Sequence, residues 1–148
     1  MGMHHWNRRR MAGVTLIELM VVVMVIGVLG IIAIPSYRQY VMRAQRTEAK
    51  TALLRLQTNQ ERFYLLHTHR YGTINELIAA NLLPAATTEN GSYRLTLASA
   101  DFASTYTATA TPVAGARIDM SADAMCTTFT LTAQGVKGAT GSNSSSCW

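Results

Sequence analysis

The chain has 148 residues, which suits one domain or one domain with an appendage. Its hydrophobic fraction is 49% and its charged fraction 14%, and the two are unevenly placed. No charged residue occurs from Leu19 to Ile34, whereas residues 89–148 are rich in Thr, Ala, Ser and Gly. This distribution excludes one uniform soluble core and favours a hydrophobic segment joined to a polar globular part.

The formal net charge is +5, and three of the thirteen basic residues form the run Arg8, Arg9 and Arg10. A basic chain can indicate nucleic-acid binding. Here a large share of the excess sits in one N-terminal run, which a membrane-topology signal explains. We therefore do not expect nucleic acid among the partners of this protein.

The N-terminus begins with a polar, basic segment and continues into residues 14–34, which are almost wholly apolar. A helix of this length covers roughly 32 Å, and the hydrocarbon core of a bilayer is about 30 Å thick. The sequence Ile34-Pro35-Ser36-Tyr37 that follows is a poor match to an ordinary signal-peptidase site, so we expect the segment to be retained. The arginine run would stay cytoplasmic and place the rest of the chain outside the cytoplasm.

Glu18 is the one charged residue of this apolar segment. A charge at the centre of a membrane span costs about 2.5–3.5 kcal/mol on insertion scales, and less near an end, so an ionisable residue there is a candidate for function. A plain membrane anchor explains the length of the segment, the flanking charges and the presence of two cysteines, Cys126 and Cys147, in the exported part. It gains nothing from Glu18.

Residues 36–66 predict an amphipathic continuation of the helix, with Ala49, Leu53, Leu56 and Phe63 on one stripe that packs on a globular part. Pro35 removes a backbone hydrogen bond and should kink the helix. A second face carries the cations Arg43, Arg46 and Lys50. Either solvent or acidic groups of neighbouring subunits can cover these cations.

Residues 67–148 predict a small head. The runs "SYRLTLA", "STYTATATP" and "CTTFTLTA" alternate with period 2 and predict three strands of an antiparallel meander, preceded by a short helix near Ile74–Ala80. The fold class is therefore α+β, a long helix packed on a small antiparallel sheet. His67 and His69 predict a loop pair rather than a metal site, and the sequence indicates no metal, no cofactor and no catalytic residue set.

Two cysteines, Cys126 and Cys147, lie near the C-terminus. In an exported chain two cysteines favour one disulfide. Alone, the glycine- and serine-rich tail "QGVKGATGSNSSSCW" would be flexible. A disulfide would tie it to the last predicted strand and stabilise the fold by roughly 3 kcal/mol in the chain-entropy model.

The stretch "GVTLIELMVVVMVIGVLGIIAIPSY" resembles the class III signal of type IV prepilins. That signal joins a glycine, a hydrophobic residue, Thr-Leu-Ile-Glu-Leu, a long apolar run and a proline, and residues 13–19 and Pro35 match it position by position. The segments "RAQRTEAK", "RYGT" and "TLTAQGVKGATG" resemble a PilE-type minor pilin.

The resemblance implies that a prepilin peptidase cuts between Gly13 and Val14 and methylates the new amine of Val14. Residues 1–13 would be the cleaved leader, 14–35 the membrane and assembly half of the helix, 36–66 its amphipathic half and 67–148 the head. Glu18 would pair with the amine of a neighbouring subunit and set the assembly register. The bond between Cys126 and Cys147 would bound the C-terminal loop that pilins carry.

The implied function is that of a minor pilin that primes or joins a type IV pilus, and so serves twitching motility and adhesion. The implied partners are the prepilin peptidase, the major pilin and other minor pilins, the inner-membrane pilus assembly platform and the inner membrane itself. Before assembly the chain would cross the inner membrane once with its head in the periplasm, and after assembly it would belong to the extracellular pilus.

Two alternatives stay open at this point. A type II secretion pseudopilin shares the signal and the helix, although the cysteine-bounded loop favours a pilin. A DNA-binding receptor displayed on the pilus would require Arg94, Arg117 and Lys137 to form one cluster. Nothing in the sequence supports an enzyme.

Overall fold

The computed structural model describes residues 13–67 and 69–148. The arginine run and the other predictions for residues 1–12 lie outside the described residues. The chain divides into two compact units, one that ends at Arg38 and one from Gln39 to Trp148.

Helix α1 runs from Leu16 to Leu66. The hydroxyl of Thr15 accepts a hydrogen bond from the backbone N–H of Glu18 at 3.3 Å, which satisfies one of the donors that every helix start leaves open. Glu18 itself lies in the first turn, where the helix dipole favours a carboxylate. The sequence "TLIE" therefore starts the helix, and Glu18 has a local role there that does not depend on pilus assembly.

In the first unit the apolar side chains of α1 are exposed. The helix is long and apolar enough to cross a membrane near its N-terminus. It stays α-helical through Pro35. The bounds of the helix do not test the kink that we predict at Pro35.

In the second unit, α1 buries a stripe that includes Ala49, Leu53, Leu56 and Phe63, as predicted. The stripe also contains a polar residue, Gln60, which the sequence analysis did not place there. The Gln60 amide donates to the carbonyl of Gly72 at 2.7 Å and accepts from its N–H at 2.9 Å. Because both amide groups are bonded, the buried glutamine fixes the connection after α1 instead of destabilising the core.

Helix α2, Ile74–Ala79, is the predicted short helix. Thr73 caps its first turn and accepts from the backbone N–H of Glu76, while the Glu76 carboxylate accepts from the backbone N–H of Thr73. This reciprocal pair is a capping box. A hydrogen bond from Arg70, followed by one from the backbone of Thr73, lowers the pKa of Glu76 to about 2.

The sheet has four antiparallel strands in the order β1-β2-β3-β4. The three predicted strands are confirmed as β1 (Tyr93–Ala98), β2 (Thr107–Pro112) and β3 (Thr128–Thr132). The fourth strand, β4 (Lys137–Thr140), was not predicted and lies in the tail that we expected the disulfide to tie to the last predicted strand. The structure therefore confirms the α+β class and the meander, and it adds a fourth strand to the sheet.

The two faces of the sheet differ in chemistry. The inner face buries Tyr93, Leu95, Ala108, Phe129 and Leu131 against α1. The outer positions in strand register carry threonines with few exceptions, and they are Thr96, Thr107, Thr109, Thr111, Thr128, Thr130, Thr132 and Thr140. β-Branched threonine suits an exposed pleated surface, so this face is polar but nearly free of charge.

A disulfide joins Cys126 and Cys147, with a Cα–Cα distance of 5.7 Å, which confirms the predicted pairing. Close to it in sequence, Asp123 is 4% exposed and receives Nε and Nη2 of Arg46 at 2.6 and 2.7 Å. The same carboxylate accepts from the backbone N–H groups of Met125 and Cys126. Arg46, expected to face solvent or a neighbouring subunit, instead binds the β2–β3 loop of its own chain.

Burial raises the pKa of Asp123, but hydrogen bonds from Arg46 and the backbone N–H of Cys126, together with the Arg46 charge, outweigh burial, so the net pKa is below its ordinary value of 3.8. A carboxyl whose folded-state pKa is lowered stabilises the fold above its unfolded pKa. That contribution disappears as the pH falls from 3.8 through the lowered native value.

We predict that Asp123→Ala lowers the free energy of unfolding at pH 7 by about 3 kcal/mol, because it leaves Arg46 without its partner in a largely buried site. The wild type should approach the variant in stability as the pH falls below 3.8. Chemical denaturation of the full chain in non-ionic micelles, followed by circular dichroism, measures both effects.

Asp119→Ala is the matched control, because Asp119 lies in the same loop and is exposed. Its effect at pH 7 should be clearly smaller. An equal loss from both variants would show that the Arg46 pair does not carry the stability of this loop.

Candidate functional site

The prepilin-like residues lie at the start of the first unit. Gly13 and Val14 precede α1 and are exposed, and Glu18 is exposed in its first turn. An added Cβ at Gly13 would meet no atom within 4 Å among the described residues. The position is therefore open, which suits a protease substrate, although the cleavage itself stays a prediction.

Arg94, Arg117 and Lys137 do not form the cluster that a DNA receptor seemed to require. Arg94 lies on β1 and Lys137 on β4, which are the two edge strands of the sheet. Three interstrand spacings of 4.7–4.9 Å separate these strands by about 14 Å. Arg94 has outer-face register, whereas Lys137 pairs with the inward-facing Leu131. The condition that we set for a DNA receptor is therefore not met by these three residues.

A different set of cations gathers where the second part of α1 meets the segment after β4. The Lys50 ammonium donates to the carbonyl of Cys147 at 3.0 Å. The Lys137 ammonium lies 5.3 Å from the centre of the Trp148 ring. Two lysines that are far apart in sequence thus contact consecutive residues. We call Arg43, Lys50, Lys137 and Trp148 the basic edge.

Arg43 joins this set through a shallow cavity of about 270 Å³, which Arg43, Lys50, Ser146 and the disulfide line together with Arg46. Ser146, the last residue of the turn Ser144–Ser146, lines the cavity and is exposed. The cavity therefore presents ammonium, guanidinium and hydroxyl donors together, the groups that proteins use to bind phosphate oxygens.

The charges of the basic edge are not neutralised within the part of the chain that the structure describes. There, the ion pairs closer than 4.0 Å are Arg46–Asp123 and Arg70–Glu76. Arg43, Lys50 and Lys137 therefore keep their full charge for an external anion, whereas the Arg46 charge is compensated.

Trp148 supports Lys137 and is itself held on two sides. Its indole N–H donates to the carbonyl of Gly138 at 2.6 Å. Its ring meets Phe129 edge to face with a centroid distance of 6.1 Å. Because one ring face is covered by Lys137, we regard Trp148 as part of the architecture of the basic edge and not as a free stacking platform for a base.

A larger cavity of about 480 Å³ lies between α1 and the segment before β1. Its walls include Ala52, Leu83 and Leu95, and its charged residues are Arg55 and Glu89, which have opposite signs. A mixed, mainly apolar cleft of this kind does not favour a polyanion.

His67 and His69 remain a loop pair. His67 stacks on Phe63 with a centroid distance of 4.1 Å, and His69 meets Tyr64 edge to face. Among the described residues, no three His, Cys, Asp or Glu side chains are grouped so that they could hold a metal ion.

The sequence analysis missed the basic edge because its members are spread from position 43 to position 148. The expected disulfide brings Cys147 back to Cys126. The contact between the loop before Cys126 and the cationic face of α1 is seen only in the structure. The sequence alone therefore held no signal that the segment after β4 lies beside cations.

Comparison with known proteins gives two family matches. Residues 35–130, well over half of the chain, match the family described as type IV minor pilin ComP, DNA uptake sequence receptor. Residues 8–34 match the prokaryotic N-terminal methylation motif. A search of curated proteins found no match to the chain.

These matches confirm the predicted pilin family and favour a pilus subunit over the type II secretion pseudopilin. The family is one of structural pilins and not an enzyme family. The expectation that nucleic acid is not a partner loses its support, because the family's own description names a DNA receptor.

The methylation motif and the long apolar helix are those of a pilin that is anchored in the membrane and then assembled into an extracellular pilus. With the α+β fold and the match over residues 35–130, they identify the chain as a member of the type IV minor pilin ComP family.

Proposed function

We propose that this minor pilin captures DNA at the pilus and that the basic edge is where it does so. The observation that carries the proposal is that Arg43 and Lys50 line one cavity with Cys147, while Lys137 contacts the adjacent Trp148. None of the three cations has a carboxylate partner among the described residues. The family description, a DNA uptake sequence receptor, supports the same ligand. Lys137 and Trp148 lie beyond the matched residues 35–130, so only their contact with each other supports including them in the basic edge.

The electrostatics of the second unit favour this edge over the sheet. The threonine face is nearly uncharged, and its one cation in strand register is Arg94. Non-specific affinity for DNA comes mainly from cations that displace counterions from the phosphates. Contacts to phosphate fix the position of a protein on the duplex, while base contacts give sequence preference. We assign the basic edge to the first of these tasks.

We further propose that the chain enters the pilus by the route that its N-terminal motif implies. A prepilin peptidase cleaves between Gly13 and Val14 and methylates the amine of Val14. The assembly platform in the inner membrane and the major and other minor pilins are then its partners. Twitching motility and adhesion are proposed as roles of the whole pilus.

Glu18 has the role of an assembly contact in this proposal. After cleavage the amine of Val14 is positive, and Glu18 of a neighbouring subunit supplies the opposite charge in an apolar filament core. Pairing both groups removes two otherwise costly charges from that core, and an unpaired carboxylate penalises a wrong register.

We predict that Gly13→Leu blocks processing, because a large side chain replaces the residue before the proposed cleaved bond. The protein should accumulate in the membrane with its first 13 residues attached. Intact-mass spectrometry of the membrane fraction measures this.

Gly27→Leu is the control, because Gly27 is a glycine of the same apolar run and an added Cβ there also meets nothing within 4 Å among the described residues. This variant should be cleaved as in the wild type. Mature, methylated protein from Gly13→Leu would overturn the cleavage proposal.

We predict that Glu18→Gln is cleaved normally but largely excluded from pili, because the Val14 amine of a neighbour would lose its partner. The measurement is the ratio of the protein in sheared pili to the protein in membranes. Glu61→Gln removes an exposed carboxylate from the second part of the same helix and should leave the ratio unchanged. Wild-type incorporation of Glu18→Gln would contradict the proposed register role.

We predict that the triple variant Arg43→Ala, Lys50→Ala, Lys137→Ala binds DNA more weakly than the wild type, and that its binding constant depends less on salt concentration. Each phosphate contact contributes about 0.9 to the slope of log K against log salt concentration. Loss of up to three contacts should therefore lower the slope by up to about 2.7. Fluorescence anisotropy of a short labelled duplex with the full chain in non-ionic micelles measures it.

The triple variant Arg55→Ala, Arg94→Ala, Arg117→Ala is the matched control, because it removes the same charge from exposed positions elsewhere in the second unit. It should keep most of the slope. Equal losses from the two triple variants would show that net charge, and not the basic edge, binds DNA.

A further inference from the structure

We infer that Cys147 and Trp148 are positioning residues for the two lysines of the basic edge, so that the DNA interface is complete only in the disulfide-bonded protein. The inference rests on the proposed DNA-binding function. It adds that the arrangement of the cations, and not their charge alone, decides affinity.

The first positioning contact is made by Cys147. Its carbonyl accepts from the Lys50 ammonium at 3.0 Å, and its sulfur is bonded to Cys126. The backbone N–H of Cys126 donates to Asp123, which binds Arg46 on α1. Lys50 and Arg46 lie one helical turn apart, so the disulfide closes a ring of contacts between α1 and the segment after β4.

The second positioning contact is made by Trp148. The ammonium of Lys137 lies 5.3 Å from the ring centre, within the range of a cation–π interaction. The indole N–H is fixed on Gly138, and the ring edge is fixed on Phe129. Gly138 follows Lys137 directly, so the ring is tied to the same strand whose lysine it holds.

Lysine is a flexible side chain that loses much rotamer freedom when it is held in one geometry. A lysine that is already held loses less of that freedom when DNA binds, and preorganisation of this kind raises affinity without a new contact. Reduction of the disulfide changes no lysine charge. It would release Cys147 and Trp148 from one of their anchors and return both lysines to a wider set of conformations.

The test is a double-mutant cycle on duplex binding, with the full chain in non-ionic micelles and the same labelled duplex. Trp148→Leu should weaken binding by about two- to five-fold, the value expected for one exposed cation–π contact. Trp148→Phe keeps an aromatic face and should restore part of the loss. In a Lys137→Ala background, Trp148→Leu should have no further effect, since its partner is already gone.

The disulfide is tested in the same way. The double variant Cys126→Ser, Cys147→Ser keeps every charge and should weaken binding in the wild type by more than it does in a Lys50→Ala, Lys137→Ala background. Reducing agent should act like the double variant on the wild type and should have no effect on the variant itself. Circular dichroism selects variants that keep the native helix and sheet content.

The outcomes separate the inference from the function it rests on. If the lysine variants leave binding unchanged, the proposed interface falls and the positioning inference falls with it. If the lysine variants weaken binding but Trp148→Leu has no effect, or an equal effect with and without Lys137, then the lysines bind DNA and the positioning role is overturned. Binding that is unchanged by reduction overturns the dependence on the disulfide.

Discussion

The carboxylate of Asp123 holds together parts of the second unit that lie far apart in sequence. It is nearly buried, binds the guanidinium of Arg46 through two hydrogen bonds, and accepts the backbone N–H groups of Met125 and Cys126. A buried carboxylate is tolerated only when it is paired and hydrogen-bonded. Each of its partners is therefore fixed, and one of them is a residue of the disulfide. The position of Cys147, and with it the last part of the chain, follows from this arrangement.

The same arrangement leaves some cations of the second unit paired with a carboxylate and others unpaired. Asp123 compensates Arg46, whereas Arg43 and Lys50 on the same helix face have no ion-pair partner among the described residues. Because the segment after β4 lies against that face, Lys50 contacts Cys147, and Lys137 contacts Trp148 beside it. The sheet, in contrast, presents threonine outward. In the proposed interaction, a polyanion would meet several unpaired cations at the basic edge and a nearly uncharged threonine face on the sheet, and such a difference can select an orientation as well as a ligand.

Much of the fold could be predicted because the spacing of apolar residues along the chain indicates which side chains are buried. The buried stripe from Ala49 to Phe63 and the alternation of β1, β2 and β3 follow from that rule. β4 could not be found in this way, because Lys-Gly-Ala-Thr lacks an apolar face and depends on pairing with β3. A Cβ at position 138 would lie 2.5 Å from Oγ1 of Thr130, so a larger residue than Gly138 would require the Thr130 side chain to move.

The missed strand also explains why Arg94 and Lys137 lie apart. A meander of three strands left the position of Lys137 open, so the condition that we set for a DNA receptor could not be judged from the sequence. Once β4 is recognised as the strand after β3, the meander places it at the opposite edge from β1. The basic edge depends instead on contacts that the disulfide and the Asp123 carboxylate create, and neither the pattern of charges nor that of apolar residues contains them. The disulfide itself was predictable, but its consequence for Lys50 also depends on the contact between Arg46 and Asp123, which the sequence does not indicate.

Glu18 shows how far local structure alone can explain a residue. The carboxylate lies in the first turn of α1, beside the Thr15 cap, where the helix dipole stabilises a negative charge by about 0.3–1 kcal/mol. A charge in a membrane span costs about 2.5–3.5 kcal/mol at the centre and less toward an end. Near the membrane surface, the stabilisation by the helix dipole is comparable to the cost of placing the charge in the membrane, so the unassembled chain tolerates Glu18. Deeper in an apolar filament core, the helix dipole is too weak to offset the cost of burying the charge, so the carboxylate requires a cation. In the proposed assembly that cation is the Val14 amine, which exists only after the bond that follows Gly13 is cut.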